Sequence, residues 1–393
     1  MPRGAGSFLH SVSSAAPALH FELPDVNGDA PFTGVETDPS ITIDPSVATL
    51  PKYTCPPSDG PGLGILVDAQ GVLIAEHCEV FSNAISNIVV ASAKNRSFLG
   101  NVVSYAAEGY GLVVRPNGLI DLKDCHLLSN ALVGVLAESQ SSARLSGCNI
   151  KGNGIGVLCC HDATELTRCL LEDHRICGVR FVDGSKAQLS DCLILRNATG
   201  VESRHTVTTM PTLTRCDMRA NVYCGLLCTA SSRPTLDSCR IREHHGVAGV
   251  LVRCLSSPSF VKCLFDGNTH AMVLRMAAAP TLTQCVIRQN RTGMLTEWGA
   301  KGQCNDSLYT HNEVHALISR TNSETTFERN QFFDESPVLV TTEGRAVLRA
   351  NLFTRPKGSC IIVNRGGAPT ITGSVFACTH ASEAELIALR LAV

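Results

Sequence analysis

Cys159-Cys160-His161 and the pair Cys224 and Cys228 have the residue types and close spacing of metal ligands. Arg240-Ile241-Arg242 with His244-His245-Gly246 gathers basic and imidazole side chains in one short stretch. Asp124, Asp191 and Glu172 are carboxyl groups that a repeating fold could bring toward one another, and two facing acids can work on a glycosidic bond as acid and base. Six cations, Arg215, Arg219, Arg240, Arg242, Lys262 and Arg288, stand near only two acids, Asp217 and Asp266, which is a local excess of four positive charges. Which of these groups does chemistry depends on the elements that position them.

Those elements must be built from small apolar residues. The 393-residue chain is 44% hydrophobic but only 5% aromatic, a composition suited to narrow, regularly stacked layers. A net charge of -2 gives no overall pull toward nucleic acid or an anionic membrane. No apolar run reaches the roughly 18 residues that span a bilayer. Ser7 to His20 lacks the basic cluster and long apolar core of a secretory peptide. Nineteen Cys without such a peptide imply reduced thiols and a cytoplasmic protein, with a cytoskeletal association as a further option.

The spacing of the cysteines reveals a repeat. One column runs through Cys78, Asn101, Cys125, Cys148, Cys169, Cys192, Cys216, Cys239, Cys263, Cys285, Ser307, Asn330, Asn351 and Ser374, in steps of 21 to 24 residues. Two positions after it stand apolar or aromatic residues such as Ile150, Ile194, Met218, Ile241 and Phe265, and three before it stands Leu or Phe in most repeats. Five after it Asn recurs, from Asn83 and Asn130 to Asn290 and Asn312. A further column pairs Gly with an apolar residue, as in Gly134-Val135, Gly200-Val201 and Gly249-Val250. Each period reads as two or three short strands broken at Asn and Gly, where left-handed backbone angles are allowed. A period near 23 is too short for two packed helices, so one turn of a parallel β-helix fits, with like residues stacked into ladders.

The pattern Leu-x-x-(Asn or Cys)-x-Ile-x-x-Asn followed by Gly-Val, as in Leu189 to Val201, resembles the right-handed parallel β-helix repeat of carbohydrate-binding proteins and sugar hydrolases. It is also similar to the repeats of F-box substrate receptors of ubiquitin ligases and of an SHC SH2-domain-binding protein. The resemblance covers about 64 to 378. It implies the fold rather than an activity, because the repeat residues are structural.

The sequence therefore predicts an all-β protein: a single-stranded right-handed parallel β-helix of about fourteen coils over 64–378. Residues 1–63, rich in Pro, Ser, Gly and Asp, read as an irregular segment, and 379–393 as a short helical cap on the open end. Within that frame Cys159 and Cys228 fall in an interior column and read as core thiols. Stacked thiols whose Cβ vectors run parallel bridge poorly, so no disulfide is expected. Asp124 and Asp191 are separated by Gly147 and Arg168, and Glu172 lies between Lys151 and Leu195, so no stacked acid pair for catalysis is expected. His174, His244, His245, His270 and His311 read as exposed turn residues. At the position two after the recurring Gly stand Leu136, Leu158, Arg180, Glu202, Leu227, Leu251, Val273, Leu295 and Ile318, seven of nine apolar, an outward stripe that either residues 1–63 or a partner must cover.

The functional expectation is a non-enzymatic protein-interaction scaffold. Its row of Arg215, Arg219, Arg240, Arg242, Lys262 and Arg288 would face an acidic or phosphorylated protein partner, with no metal or cofactor and no nucleic-acid or membrane partner. The alternatives are a carbohydrate-binding or polysaccharide-cleaving β-helix protein and the substrate-recognition component of a ubiquitin ligase.

Overall fold

The computed structural model describes residues 62–377 except 69, 92–94, 207–209, 334–335 and 355–358, so the expected segment 1–63, but for its last two residues, and the expected cap 379–393 lie outside the described residues. Three parallel sheets of fourteen strands each run the length of the solenoid. The first begins with Leu63–Val67 and Ser86–Val90, the second with Ile74–Glu76 and the third with Glu79–Phe81. Every strand pairs with the strand three places on in the chain, so each coil gives one short strand to each sheet. Linking parallel strands in this way is right-handed for a chain of L-residues. The right-handed parallel β-helix expected from the repeat is the fold observed.

The interior is a stack of identical positions. Val157, Leu166, Cys169 and Leu171 point inward from one coil, each at most 2% exposed. Ile194, Met218, Ile241 and Phe265 follow one another in register up the third sheet. Toward the C-terminal end the column becomes aromatic, with Tyr309, Phe332, Phe353 and Phe376 stacked at centroid separations of 4.6 to 4.9 Å. Ladder thiols donate weakly to carbonyls one coil back, as Cys125 Sγ does to the Leu99 oxygen at 3.3 Å.

Two readings of the repeat are corrected. The ladder position in the second coil is Val102, not Asn101, because Glu79 pairs with Val103 and Val80 with Ser104. Asn101 instead takes the left-handed corner at φ 51°, a conformation Asn tolerates better than most residues. The same corner, one residue before the ladder, is taken by Asp191, Arg215 and Lys262 at φ 52 to 56°. The recurring Gly residues are not the left-handed ones. A Cβ on Gly134 would lie 2.7 Å from the carbonyl oxygen of Gly156 on the next coil, and one on Gly200 would lie 2.4 Å from that of Gly225. Glycine is required there for close approach between coils.

All the described cysteines are free thiols. Burial pushes the Cys177 thiol up to about 12 and the Cys159 and Cys228 thiols up as well. Because access limits the reaction, a thiol reagent is expected to label exposed Cys78 and half-buried Cys254 and Cys360 first, half-buried Cys160, whose thiol burial pushes up to about 12, more slowly, and the buried ladder only on unfolding. Denaturant without reductant should bring the count to nearly all nineteen. Rapid labelling of the ladder in native buffer would show that the coils open readily.

Candidate functional site

The predicted metal constellations are pulled apart by the alternation of the strands. Cys159 points into the core between Ala137 and Phe181, and Cys160 turns to the other face. Cys228 is likewise interior, whereas Cys224 lies in the outer cluster with Leu227 and Leu251. Among the described residues no group of three His, Cys, Asp or Glu side chains could hold a metal ion.

The predicted basic row is brought to one side of the solenoid, but its charges are largely matched. Arg215 grips Asp191 with two bonds of 2.7 and 2.8 Å. Arg242 reaches diagonally to Asp217 at 2.6 Å, Arg219 to Glu243 at 2.7 Å and Arg288 to Asp266 at 2.9 Å. Only Arg240 and Lys262 of the six make no ion pair among the described residues. The local count missed Asp191, which lies on the coil before those counted, and Glu243, which sits at a turn position outside the strand columns. With them the excess falls from four to two. Glu172 is half of a similar network, bonded to Arg196 and to Lys151, the latter at 2.9 Å.

The predicted exposed histidines divide. His245 and His311 are exposed, but His270 is buried on a strand of the first sheet, and His174 and His244 are buried within the Asn ladder. The backbone N–H of Asn153 donates to His174 Nδ1 and that of Asn221 to His244 Nδ1, both at 3.1 Å. In turn the N–H of His174 donates to Asn197 Oδ1 at 3.0 Å, and that of His244 to Asn268 Oδ1 at 3.1 Å. Burial holds both imidazoles well below their ordinary value, at about 4. Their spacing, five after the ladder Cys, is that of the Asn column.

The outer face of the second sheet carries a different arrangement, which the sequence reading passed over. Gln188, Thr212, Thr235, Ser259, Thr281, Gln303 and Thr326 follow one another in register up seven consecutive strands. Beside them runs a second row of Ser190, Thr214, Asp237, Val261, Thr283 and Asn305. The first row is uncharged throughout, and its side chains are half-buried or exposed. None of them hydrogen-bonds to a described residue, so their hydroxyl and amide groups face solvent with donors and acceptors free. The signal was present as Thr-Leu-Thr at 212–214 and 281–283, where the residue before each core Leu recurs as Thr, Ser or Gln. Such a face can hydrogen-bond, at the spacing of the coils, to an extended neutral molecule laid along the solenoid.

Residues 153–306 match the family model described as "Right handed beta helix region". No curated protein matches the sequence. Among solved structures the chain is similar to the Dettilon tailspike protein gp208, at 13% identity over 77% of this chain and 62% of that one, with a TM-score of 0.49. It is also similar to the catalytic unit of the GH87 alpha-1,3-glucanase of Streptomyces thermodiastaticus strain HF3-3, at 9% identity over 82% of this chain and 65% of that one, TM-score 0.46. A third is the A-module of the Azotobacter vinelandii mannuronan C-5 epimerase AlgE4, at 13% identity over 82% of this chain and 90% of that one, TM-score 0.36. The chain thus spans under two thirds of the tailspike's length.

Two functional expectations are corrected on these findings. The protein scaffold with an acidic partner gives way, because the basic row meant for the partner is mostly ion-paired. The assignment as a non-enzyme rested on that scaffold reading and gives way with it.

Proposed function

We propose that this right-handed parallel β-helix protein binds a carbohydrate polymer lengthwise on the outer face of its second sheet. The observation that carries the reading is the unbroken row from Gln188 to Thr326, seven uncharged hydroxyl and amide side chains with no hydrogen-bond partner among the described residues. A glycan is a chain of hydroxyl groups, each able to donate and accept, and a rigid row of like groups meets it without ordering cost in the protein. The row lacks the aromatic and Arg anchors on which protein interfaces depend.

The test is a glycan array probed with the intact protein, with every retained glycan then assayed for release of reducing ends. Retention of at least one polysaccharide is expected. The nearly isosteric pair Thr212→Val and Thr281→Val should weaken it by about 10-fold, the loss of a net hydrogen bond or two at about 1 kcal/mol each. Release of reducing ends would add cleavage to binding. A folded protein that retains no glycan, or a double variant that binds as well as the parent, removes this face from the functional account.

A further inference from the structure

We propose that the chain's own residues 1–61 dock along the outer face of the first sheet, in a groove separate from the proposed glycan face. On the second and third sheets outward side chains are mostly half-buried or exposed. On the first they are not: Leu136, Leu158, Leu227, Leu251, Val273 and Leu295 point away from the core and are each at most 1% exposed. No described strand lies over them, since the strands of the first sheet pack on their sheet neighbours and on the strands just before them in the chain. The covering is also bounded. Val89 and Leu339 are buried, whereas Leu66 and Ile362, one coil further out at either end, are 39% and 38% exposed.

Three features select the occupant. The first is reach. Residue 61 adjoins Leu63–Val67, the first strand of this same sheet. The stretch from Val89 to Leu339 crosses eleven coil steps, about 53 Å, which roughly sixteen extended residues can span. The 61 residues before the first strand are ample. The second is charge. A row at the end of these strands carries Arg115, Arg204, Arg253, Arg275 and Arg320 against Glu138 and Glu297. Arg204 is paired with Glu202, and Arg275 and Arg320 share Glu297, so the row keeps a net positive charge, whereas residues 1–61 hold seven acids, from Glu22 to Asp59, against Arg3 and Lys52. The third is apolar patterning, with Phe21 and Leu23, and Ile41 and Ile43, alternating as a strip packed on a sheet would. A second copy fits less well, because a two-fold contact would set this basic row against itself.

The test uses the full chain with a specific protease recognition sequence placed across Pro56 to Pro61. After cutting, the released N-terminal fragment is expected to co-elute with the solenoid on gel filtration at low salt. In the Arg115→Glu and Arg253→Glu double variant that co-elution should be lost while the solenoid still melts cooperatively. Light scattering on the uncut protein should give a monomer. A fragment that elutes alone from the unsubstituted protein overturns the proposal, as does an intact dimer whose fragment is free after cutting, which would assign the stripe to a second copy.

Discussion

Ile241→Asn is expected to destabilise the solenoid by about 3 to 5 kcal/mol, the combined loss of apolar burial and of solvation for an unpaired amide. Ile241 is fully enclosed, stacked between Met218 and Phe265 on the coils to either side. Its own carbonyl accepts the Nδ2–H of Asn268 at 3.0 Å, so an added amide at this site has no free backbone partner there. In a stack each coil is held by its neighbours, and a defect in one layer weakens two interfaces. Arg240→Asn, one residue earlier and pointing outward, should change stability by no more than about 0.5 kcal/mol. Urea melts of the two variants against the parent make the measurement. Equal midpoints for all three would show that the column is not interior.

That contrast between adjacent residues also marks what the sequence made legible. The interior of a β-helix is the same chemical problem solved once per coil, so its solution recurs and can be counted. Cys148, Leu171 and Ile194 were placed correctly from spacing alone, and the core contains them all. Spacing failed where one residue type suits two neighbouring positions. Asn fills the ladder at Asn330 and Asn351, where its side chain bonds coil to coil at 2.8 Å, yet it also suits the left-handed corner at Asn101. It failed again at Gly134 and Gly200, because a close approach between coils and a positive φ both select Gly and leave the same letter in the sequence.

The outward faces were less legible, for a physical reason. Nothing inside the solenoid constrains an exposed side chain, so the outer rows carry function without a periodic signature of their own. The charges from Arg215 to Arg288 looked like an excess because Asp191, on the coil before, and Glu243, at a turn position, were left out of the count. The scaffold reading rested on that excess. The Thr, Ser and Gln row drew no notice, since uncharged residues on a strand read as ordinary solvated surface.

Acidification is expected to unfold the solenoid from within, through the histidines that replace Asn in its ladder. Burial holds His174 and His244 at about 4. In the unfolded chain each would titrate near 6.5. Above that value both are neutral in both states and their contribution is complete. Below it the unfolded chain takes up protons that the folded chain refuses, so stability falls as pH drops from about 6.5 toward 4. At roughly 1.4 kcal/mol per unit, the two together could remove on the order of 7 kcal/mol, a large share of the stability of a domain. The ladder supplies the structural reason. Nδ1 of His174 and of His244 accepts a backbone N–H, and a proton on that nitrogen sets donor against donor. Asn serves the same position at Asn197 and Asn221, where it accepts through Oδ1 at 3.0 Å and does not titrate in this range. The variant His174→Asn with His244→Asn should therefore fold, match the parent at pH 7.5, and melt well above it at pH 4.5. Thermal melts of both proteins across that interval are the measurement, and parallel losses in parent and variant would place the acid sensitivity outside the ladder.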